Sequence, residues 1–134
     1  LIENNALIIS SDSCASCEGR VLGKPLSKIK AIKYLEYISG KNIFFYTGIC
    51  VLDSESMDIQ TDMAIYKIKI KNLSSKDILC YVNDHNPINS SAAFRYEVAK
   101  DILIEKFIDT ENDISGLIGL PLKKLKNILD KCKL

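Results

Sequence analysis

The chain has 134 residues, of which 47% are hydrophobic and 26% are charged, and this length and composition fit one globular domain. Its 18 basic and 17 acidic side chains give a formal charge of +1, which argues against a binder of nucleic-acid polymers. The longest uncharged apolar stretch, residues 42–52, is far shorter than the roughly 20 residues of a membrane-spanning helix. No secretory signal is visible, so we expect a cytoplasmic protein without membrane partners.

The five cysteines are odd in number and irregular in spacing, which is typical of reduced thiols. Cys14 and Cys17 form a C-x-x-C pair, but zinc needs two further ligands and His85 is the only histidine. A thioredoxin-like pair would open a helix, whereas Glu18-Gly19 indicates a turn. We therefore interpret the cysteines as buried or half-buried small hydrophobic residues.

The first third of the chain predicts a strand, a hairpin and a helix. Residues 6–9 are apolar and β-branched, which predicts a buried strand that ends at the run 10–13, Ser-Ser-Asp-Ser. The turn residues 18–20 predict a hairpin over residues 14–22. Ser27 is a suitable N-cap for a helix over about 27–39, whose apolar residues recur at helical spacing before Gly40.

The rest of the chain alternates strands and helices. Residues 42–52 predict a strand interrupted at Thr47-Gly48, and the alternation in 63–71 predicts a half-exposed strand with lysines on one side. A capping box at 74–77 predicts a helix over about 75–84, residues 102–107 predict a strand, and a last helix begins near Pro121. This order indicates one domain of α/β or α+β class with a mixed sheet.

Four short patterns could carry chemistry, although each has an ordinary structural reading. Asp12 at a strand end could bind a divalent cation or activate water, but such residues more often form turns. Lys24, in Gly-Lys-Pro, could bind a phosphate or simply be solvated. The Thr47-Gly48 pair indicates either a β-bulge or the close approach of a ligand.

The fourth pattern, Phe94-Arg95-Tyr96-Glu97, combines aromatic rings, a cation and a carboxylate. It could read a nucleobase by stacking and hydrogen bonding. It is equally compatible with a surface strand that carries an ion pair, and the pattern alone favours that reading.

Taken in order, the motifs resemble the Maf family of nucleoside triphosphate pyrophosphatases, and the resemblance extends over nearly the whole chain. The blocks that carry it are Ile8–Ser13, Glu18–Leu26, Ser39–Gly40, Phe45–Gly48, Pro87–Ile88, Phe94–Glu97 and Leu117–Leu122. The Phe-Arg-x-Glu block and the Leu-Ile-Gly-Leu-Pro-Leu block resemble the subgroup that acts on 7-methyl-GTP. The subgroup that acts on dTTP and UTP typically has glutamine where Glu97 stands.

The resemblance implies a Maf/ITPase-like α/β fold and hydrolysis of a modified nucleoside triphosphate to the monophosphate and pyrophosphate. It implies that Asp12, Lys24 and Glu97 are catalytic, that Asp12 binds the metal, and that Thr47 and Arg95 line the substrate pocket. The cofactor implied is a divalent cation, Mg²⁺ or Mn²⁺. The implied partner is the nucleotide substrate, with a homodimer possible.

The sequence also departs from the family pattern. The family's Ser-x-Ser-Pro-Arg-Arg phosphate-binding motif and a further glutamate are not found, so we expect the single domain 1–134 to lack its N-terminal segment. Where the subgroup usually has Cys-Ala-Gly-Ser, this chain has Ser90-Ser91-Ala92-Ala93. Where the subgroup has Glu-Gly-x-Gly, this chain has Glu97-Val98-Ala99-Lys100. The alternative to an enzyme is therefore a diverged, non-catalytic nucleotide-binding or interaction protein.

Overall fold

The computed structural model describes residues 5–132, and residues 1–4 and 133–134 lie outside this description. Strands and helices alternate along the chain, with two short 3₁₀ turns at Pro87–Asn89 and Ser91–Ala93. The elements are β1 (Leu7–Cys17), β2 (Arg20–Leu22), α1 (Lys28–Ile38), β3 (Asn42–Asp53), β4 (Ile59–Ile70), α2 (Ser75–His85), α3 (Tyr96–Ile102), β5 (Ile104–Asp109), α4 (Ser115–Ile118) and α5 (Leu122–Lys131).

The five strands form one sheet in the order β2-β1-β3-β4-β5. Each neighbouring pair is antiparallel. The sheet is therefore antiparallel rather than the mixed sheet that the alternation of strands and helices predicted. The predicted α/β class is confirmed. The predicted hairpin over 14–22 is also confirmed, because β2 folds back onto the end of β1 at Ala15–Cys17.

The described helices pack on one face of the sheet, which we call the covered face. Buried residues of α1, α2 and α3, including Leu35 and Val82, pack against strand residues such as Ile68. At the other end of the same face, Leu125 and Ile128 of α5 pack against Ile49 and Val51 of β3. Because side chains alternate along a strand, the intervening residues form a second face without a helix on it among the described residues.

Local signals explain where the first two long helices begin. The Ser27 hydroxyl accepts a hydrogen bond from the Lys30 amide, and the Ser74–Asp77 capping box is formed at the start of α2. Gly40 follows α1 with φ of 72°, the left-handed conformation that glycine adopts without strain. The predicted helices over 27–39 and 75–84 are therefore confirmed.

The prediction for the start of the chain is wrong in two respects. β1 does not end at Ser10; it continues through the Ser-Ser-Asp-Ser run to Cys17, so that Asp12 lies in mid-strand. Nor is this part buried, since Ile8 and Ile9 are 36% and 43% exposed. The reason is that β3 pairs with β1 residue by residue from Leu7 to Ser16, and these ladder bonds override the turn propensity of serine and aspartate.

The predicted interruption of β3 is also wrong. The register passes through Thr47 and Gly48 without a shift, with Gly48 opposite Asp12 on one side and Met63 on the other. The bulge interpretation of Thr47-Gly48 is thus excluded. Similarly, residues 94–97 are not a surface strand, because Tyr96 and Glu97 form the first turn of α3.

The Cys14 and Cys17 thiols point to opposite faces of β1, Cys14 exposed and Cys17 buried. They therefore do not form a paired metal or redox site. Burial raises the pKa of the Cys17 thiol, which keeps it protonated and unreactive. The expectation that the cysteines are buried or half-buried is wrong for Cys14 and Cys80, which are exposed.

Tyr81 fixes the segment that precedes α3. Its buried hydroxyl donates a hydrogen bond to the Ala93 carbonyl (2.7 Å) and accepts one from the Arg95 amide (2.9 Å). Burial raises the pKa of Tyr81 to about 12. An unfolded tyrosine deprotonates near pH 10. Stability that depends on the protonated hydroxyl is therefore fully present below about pH 10 and is lost as the pH rises towards 12.

We expect Tyr81→Phe to lower the free energy of unfolding by about 1–3 kcal/mol, because two buried backbone groups lose their partner. Urea unfolding at pH 7 measures this loss. The variant should also lose less stability than the wild type between pH 10 and 12. Tyr46→Phe, which alters a half-exposed ring on the other face of the sheet, is the control. Equal stability of Tyr81→Phe and the wild type would contradict the assignment.

Candidate active site

Asp12 lies at the rim of a shallow depression on the face of the sheet opposite to the helices. Its side chain is exposed, and one carboxylate oxygen accepts a hydrogen bond from the Ser13 amide (2.8 Å). The depression has a volume of about 390 Å³. Its lining comes from three neighbouring strands, namely Ser10–Asp12, Gly48–Cys50 and Thr61–Met63.

Gly48 forms the floor of this depression. A Cβ atom at this position would meet only the Asp12 carbonyl oxygen, at 3.9 Å, which is an ordinary contact. Neither the backbone conformation nor the packing therefore requires a glycine here. What the glycine does is leave open space between Asp12 and Met63, the residues on either side of it in the sheet.

Lys24 lies in the loop between β2 and α1. Backbone hydrogen bonds fix this loop at residues before and after Lys24. The Gly23 carbonyl accepts a bond from the Ala92 amide (3.0 Å), and the Leu26 amide donates to the Ile88 carbonyl (2.8 Å). Since β2 runs antiparallel to β1 from Cys17 to Ala15, the chain leaves β2 in the direction of Asp12. The Lys24 loop thus follows β2 on the side of Ala15 that leads towards Asp12.

The segment 90–94 joins the Lys24 loop to β1. The Ser91 hydroxyl donates to the Ser13 carbonyl (3.4 Å), next to Asp12, while Phe94 packs on Phe45 with ring centroids 4.8 Å apart. Ala92 has φ of 57°, a conformation that costs a residue with a Cβ atom about 1–2 kcal/mol. Ala92 stands where the 7-methyl-GTP subgroup, which the sequence resembles, usually has glycine. Alanine in place of glycine puts a side chain on a left-handed backbone.

Arg95 and Glu97 flank the start of α3. The Arg95 guanidinium donates to the His85 carbonyl (3.0 Å) at the end of α2, and this contact holds the cation at the helical layer. Glu97 is exposed in the first turn of α3. Among residues 5–132 no hydrogen bond or ion pair connects Asp12, Lys24 and Glu97 with one another.

Thr47 is fully buried and faces the helices rather than the depression. Its hydroxyl donates to the Gly116 carbonyl (2.9 Å) and lies 3.1 Å from the Ser13 hydroxyl. Thr47 therefore connects β3 to α4 and to the strand that carries Asp12. A ligand in the depression would lie on the other side of the sheet from this hydroxyl.

Sequence reasoning missed Ser13 and Ser91, whose contacts connect the Asp12 strand to Thr47 and to the Lys24 loop. Ser13 follows Asp12 in β1, so strand alternation would have placed its side chain on the face opposite to Asp12, had the strand been recognised as continuous. In the described part of the chain, no three His, Cys, Asp or Glu side chains are grouped closely enough to hold a metal ion. Asp12 is thus a single candidate ligand rather than part of a preformed cage.

Comparison with known proteins settles the family. The family model described as "Maf-like protein" matches residues 1–132. The chain belongs to the Maf family. The described fold places the Asp12 strand, the Gly-Lys-Pro loop and the Phe94–Glu97 block around one sheet.

Similar proteins carry two substrate names. A protein from Colwellia psychrerythraea named 7-methyl-GTP pyrophosphatase is 42% identical over 125 residues, which are 93% of this chain and 62% of that protein. A protein from Methanococcoides burtonii named dTTP/UTP pyrophosphatase is 33% identical over 128 residues, 96% of this chain and 64% of that protein. The chain therefore spans less than two thirds of the length of these relatives.

Among residues 5–132, no helix has both the length and the apolar character needed to cross a bilayer.

We expect Thr47→Val to lower the free energy of unfolding by about 1–3 kcal/mol, because the buried Gly116 carbonyl loses its hydrogen-bond donor. Thr47→Ser keeps the hydroxyl and should retain most of the stability that Thr47→Val loses. Chemical denaturation followed by circular dichroism measures both. If Thr47→Val unfolds at the wild-type denaturant concentration, the hydroxyl does not connect β3 to α4.

Proposed function

We propose that this protein is a nucleoside triphosphate pyrophosphatase, which cleaves its substrate between the α and β phosphates. The observation that carries the proposal is the pairing of Asp12 with Gly48, because it puts an exposed carboxylate beside open space on a rigid strand. Membership of the Maf family and the names of the relatives support the same reaction. Water adds across the phosphoanhydride, and the products are a nucleoside monophosphate and pyrophosphate.

Asp12 has one of two roles in this proposal. As a general base, its carboxylate accepts the proton of the attacking water, a contribution of about 10²–10⁴-fold. As a metal ligand, it binds a divalent cation that comes with the substrate. Mg²⁺ is commonly held by one or two carboxylates together with substrate phosphates, so a single carboxylate fits this cation. When bound, Mg²⁺ or Mn²⁺ would neutralise charge on the phosphates.

Lys24 and Glu97 complete the proposed set. The Lys24 ammonium stabilises the negative charge of the phosphates, and a loop fixed at Gly23 and Leu26 limits the reorganisation that this requires. Glu97 contributes to the acidic site or contacts the base. Thr47 and Arg95 are proposed to position these elements, because their polar groups bind backbone carbonyls of α4 and α2.

For the substrate we propose 7-methyl-GTP rather than dTTP or UTP, since Glu97 stands where the dTTP/UTP subgroup typically has glutamine. The second candidate function is nucleotide binding without turnover. This function is favoured by Ala92, which lies in the segment that fixes the Lys24 loop. Its backbone is left-handed, a conformation that is unfavourable for a residue with a methyl side chain.

We expect pyrophosphate release with Mn²⁺ or Mg²⁺ to be faster from 7-methyl-GTP than from GTP, dTTP or UTP when the full-length gene product is used. Asp12→Asn should lower the rate by about 100-fold or more. The matched control is Asp84→Asn, which removes an exposed carboxylate from α2 and should leave the rate unchanged. Nucleotide binding without release in the wild type would favour the second function, and release unaffected by Asp12→Asn would overturn the role of Asp12.

The Gly48→Ala variant distinguishes an effect on substrate turnover from an effect on the stability of the sheet. The added methyl group meets only the Asp12 carbonyl at 3.9 Å, so we expect folding to be unchanged or stabilised by about 0.5–1 kcal/mol. If the substrate occupies the depression, the methyl group should lower kcat/KM by about 10-fold or more. Thermal unfolding and pyrophosphate release measure the two effects. Unchanged turnover would place the substrate elsewhere.

A further inference from the structure

The tip of the first hairpin is attached to α1 and to the turn that follows it. The Tyr37 hydroxyl of α1 donates a hydrogen bond (3.3 Å) to the carbonyl of Cys17, the last residue of β1. The Lys41 ammonium, just after α1, lies 3.8 Å from a Glu18 carboxylate oxygen. A further contact joins Arg20, the first residue of β2, to two tyrosine rings of α1. The hairpin tip and α1 are therefore connected at several points.

Arg20 is held by aromatic rings rather than by a carboxylate. Its guanidinium carbon lies 5.8 Å from the centre of the Tyr34 ring and 5.0 Å from that of the Tyr37 ring, within the range of cation–π attraction. In the part of the chain that the structure describes, Arg20 forms no ion pair. Tyr34 is buried, so the ring that Arg20 contacts has a fixed position in the helical layer.

β2 depends on such a contact because it is short and lies at the edge of the sheet. It has three residues, Arg20–Leu22, and pairs with β1 alone. Short segments of this kind open locally at a low free-energy cost unless contacts outside the ladder hold them. Leu22 is fully buried and anchors the end of β2, while Arg20 anchors its start. The direction of β2 therefore depends on both residues.

The Lys24 loop begins where β2 ends and leads directly into α1. Only Gly23 separates Leu22 from Lys24. The backbone hydrogen bonds of the loop attach it to the segment 86–93, but they do not join β2 to α1. The contact between Arg20 and the α1 rings does so, because it connects the element before the loop to the element after it.

We propose that Arg20 is a positioning residue for Lys24. By binding the two tyrosine rings, Arg20 holds β2 against α1 and so fixes the place of the Lys24 ammonium relative to the phosphates of the substrate. This inference rests on the proposed function, which assigns the phosphates to Lys24. A fixed cation stabilises developing negative charge without reorganisation during the reaction. A displacement of about 1 Å in a positioned group can lower the rate by about 100-fold.

The effect of the contact on the loop is tested without a nucleotide. Arg20→Met keeps an unbranched side chain but removes the cation. In the full-length gene product, this change should speed hydrogen exchange by about 5-fold in peptides that contain residues 21–26, as measured by mass spectrometry. Exchange in α5 should not change. Arg20→Lys, which keeps a cation that also binds aromatic rings, should restore most of the protection.

Pyrophosphate release by the folded protein distinguishes positioning from a purely structural role. Arg20→Met should lower kcat by about 10-fold and change KM by less than about 2-fold, because a fixed cation matters most where negative charge grows. A purely structural role would lower the fraction of folded molecules, which circular dichroism measures, and leave kcat per folded molecule unchanged. Arg20→Lys should recover most of the lost kcat.

Variants of the tyrosine test the other side of the contact. Tyr37→Leu should lower kcat as Arg20→Met does, and the double variant should lose no more than about 2-fold further, because both changes remove the same contact. Tyr37→Phe loses only the hydroxyl that binds Cys17 and should keep most of the wild-type kcat. The matched control is Lys33→Ala, which removes an exposed cation from α1 and should leave kcat and KM unchanged.

Unchanged exchange over residues 21–26 in Arg20→Met would overturn the proposed contact, whether or not the protein turns over a nucleotide. Faster exchange with a kcat equal to that of Lys33→Ala would overturn the positioning of Lys24. Losses of kcat that add fully in the Arg20→Met, Tyr37→Leu double variant would show that the two residues act separately, against the proposal. If the wild type releases no pyrophosphate, the proposed reaction fails, and the exchange experiment still decides whether Arg20 holds the loop.

Discussion

The antiparallel ladder that joins β1, β3 and β4 constrains the rest of the structure. Because the register is continuous over ten or more residues on both sides of β3, it fixes which side chains face the helices and which face away. A shift by one residue would exchange the two sets, moving Asp12 to the covered face and Thr47 out of it. Burial of alternate residues such as Phe45 and Ile49 against the helices opposes such a shift.

This division of the sheet explains why residues of one motif have different roles. Thr47 and Gly48 are adjacent in the sequence, but Thr47 lies in the core and binds α4, while Gly48 opens the depression beside Asp12. Likewise, Ser13 connects to the helical layer and its neighbour Asp12 does not. The covered face thus provides stability, and the opposite face holds Asp12, the carboxylate proposed to act on a substrate.

The sequence was sufficient to predict the elements whose signals are local. The N-cap at Ser27, the capping box at Ser74 and the turn before Arg20 each depend on side-chain to backbone contacts within a few residues, and the corresponding helices and hairpin form. The extents of β1 and β3 could not be predicted in this way. Serine, aspartate and glycine normally interrupt strands, and here they are held in register by partner strands distant in the sequence.

The sequence by itself determined the family, the α/β class and the identities of the candidate residues Asp12, Lys24 and Glu97, since ordered motifs and local periodicity are properties of the chain alone. The tertiary structure decided which of these residues face the depression. It also decided which polar side chains already form hydrogen bonds within the protein. Arg95 is held at the His85 carbonyl and Thr47 at the Gly116 carbonyl. The physical reason is that the direction of a side chain depends on strand register and helix packing, which are set by contacts between distant residues.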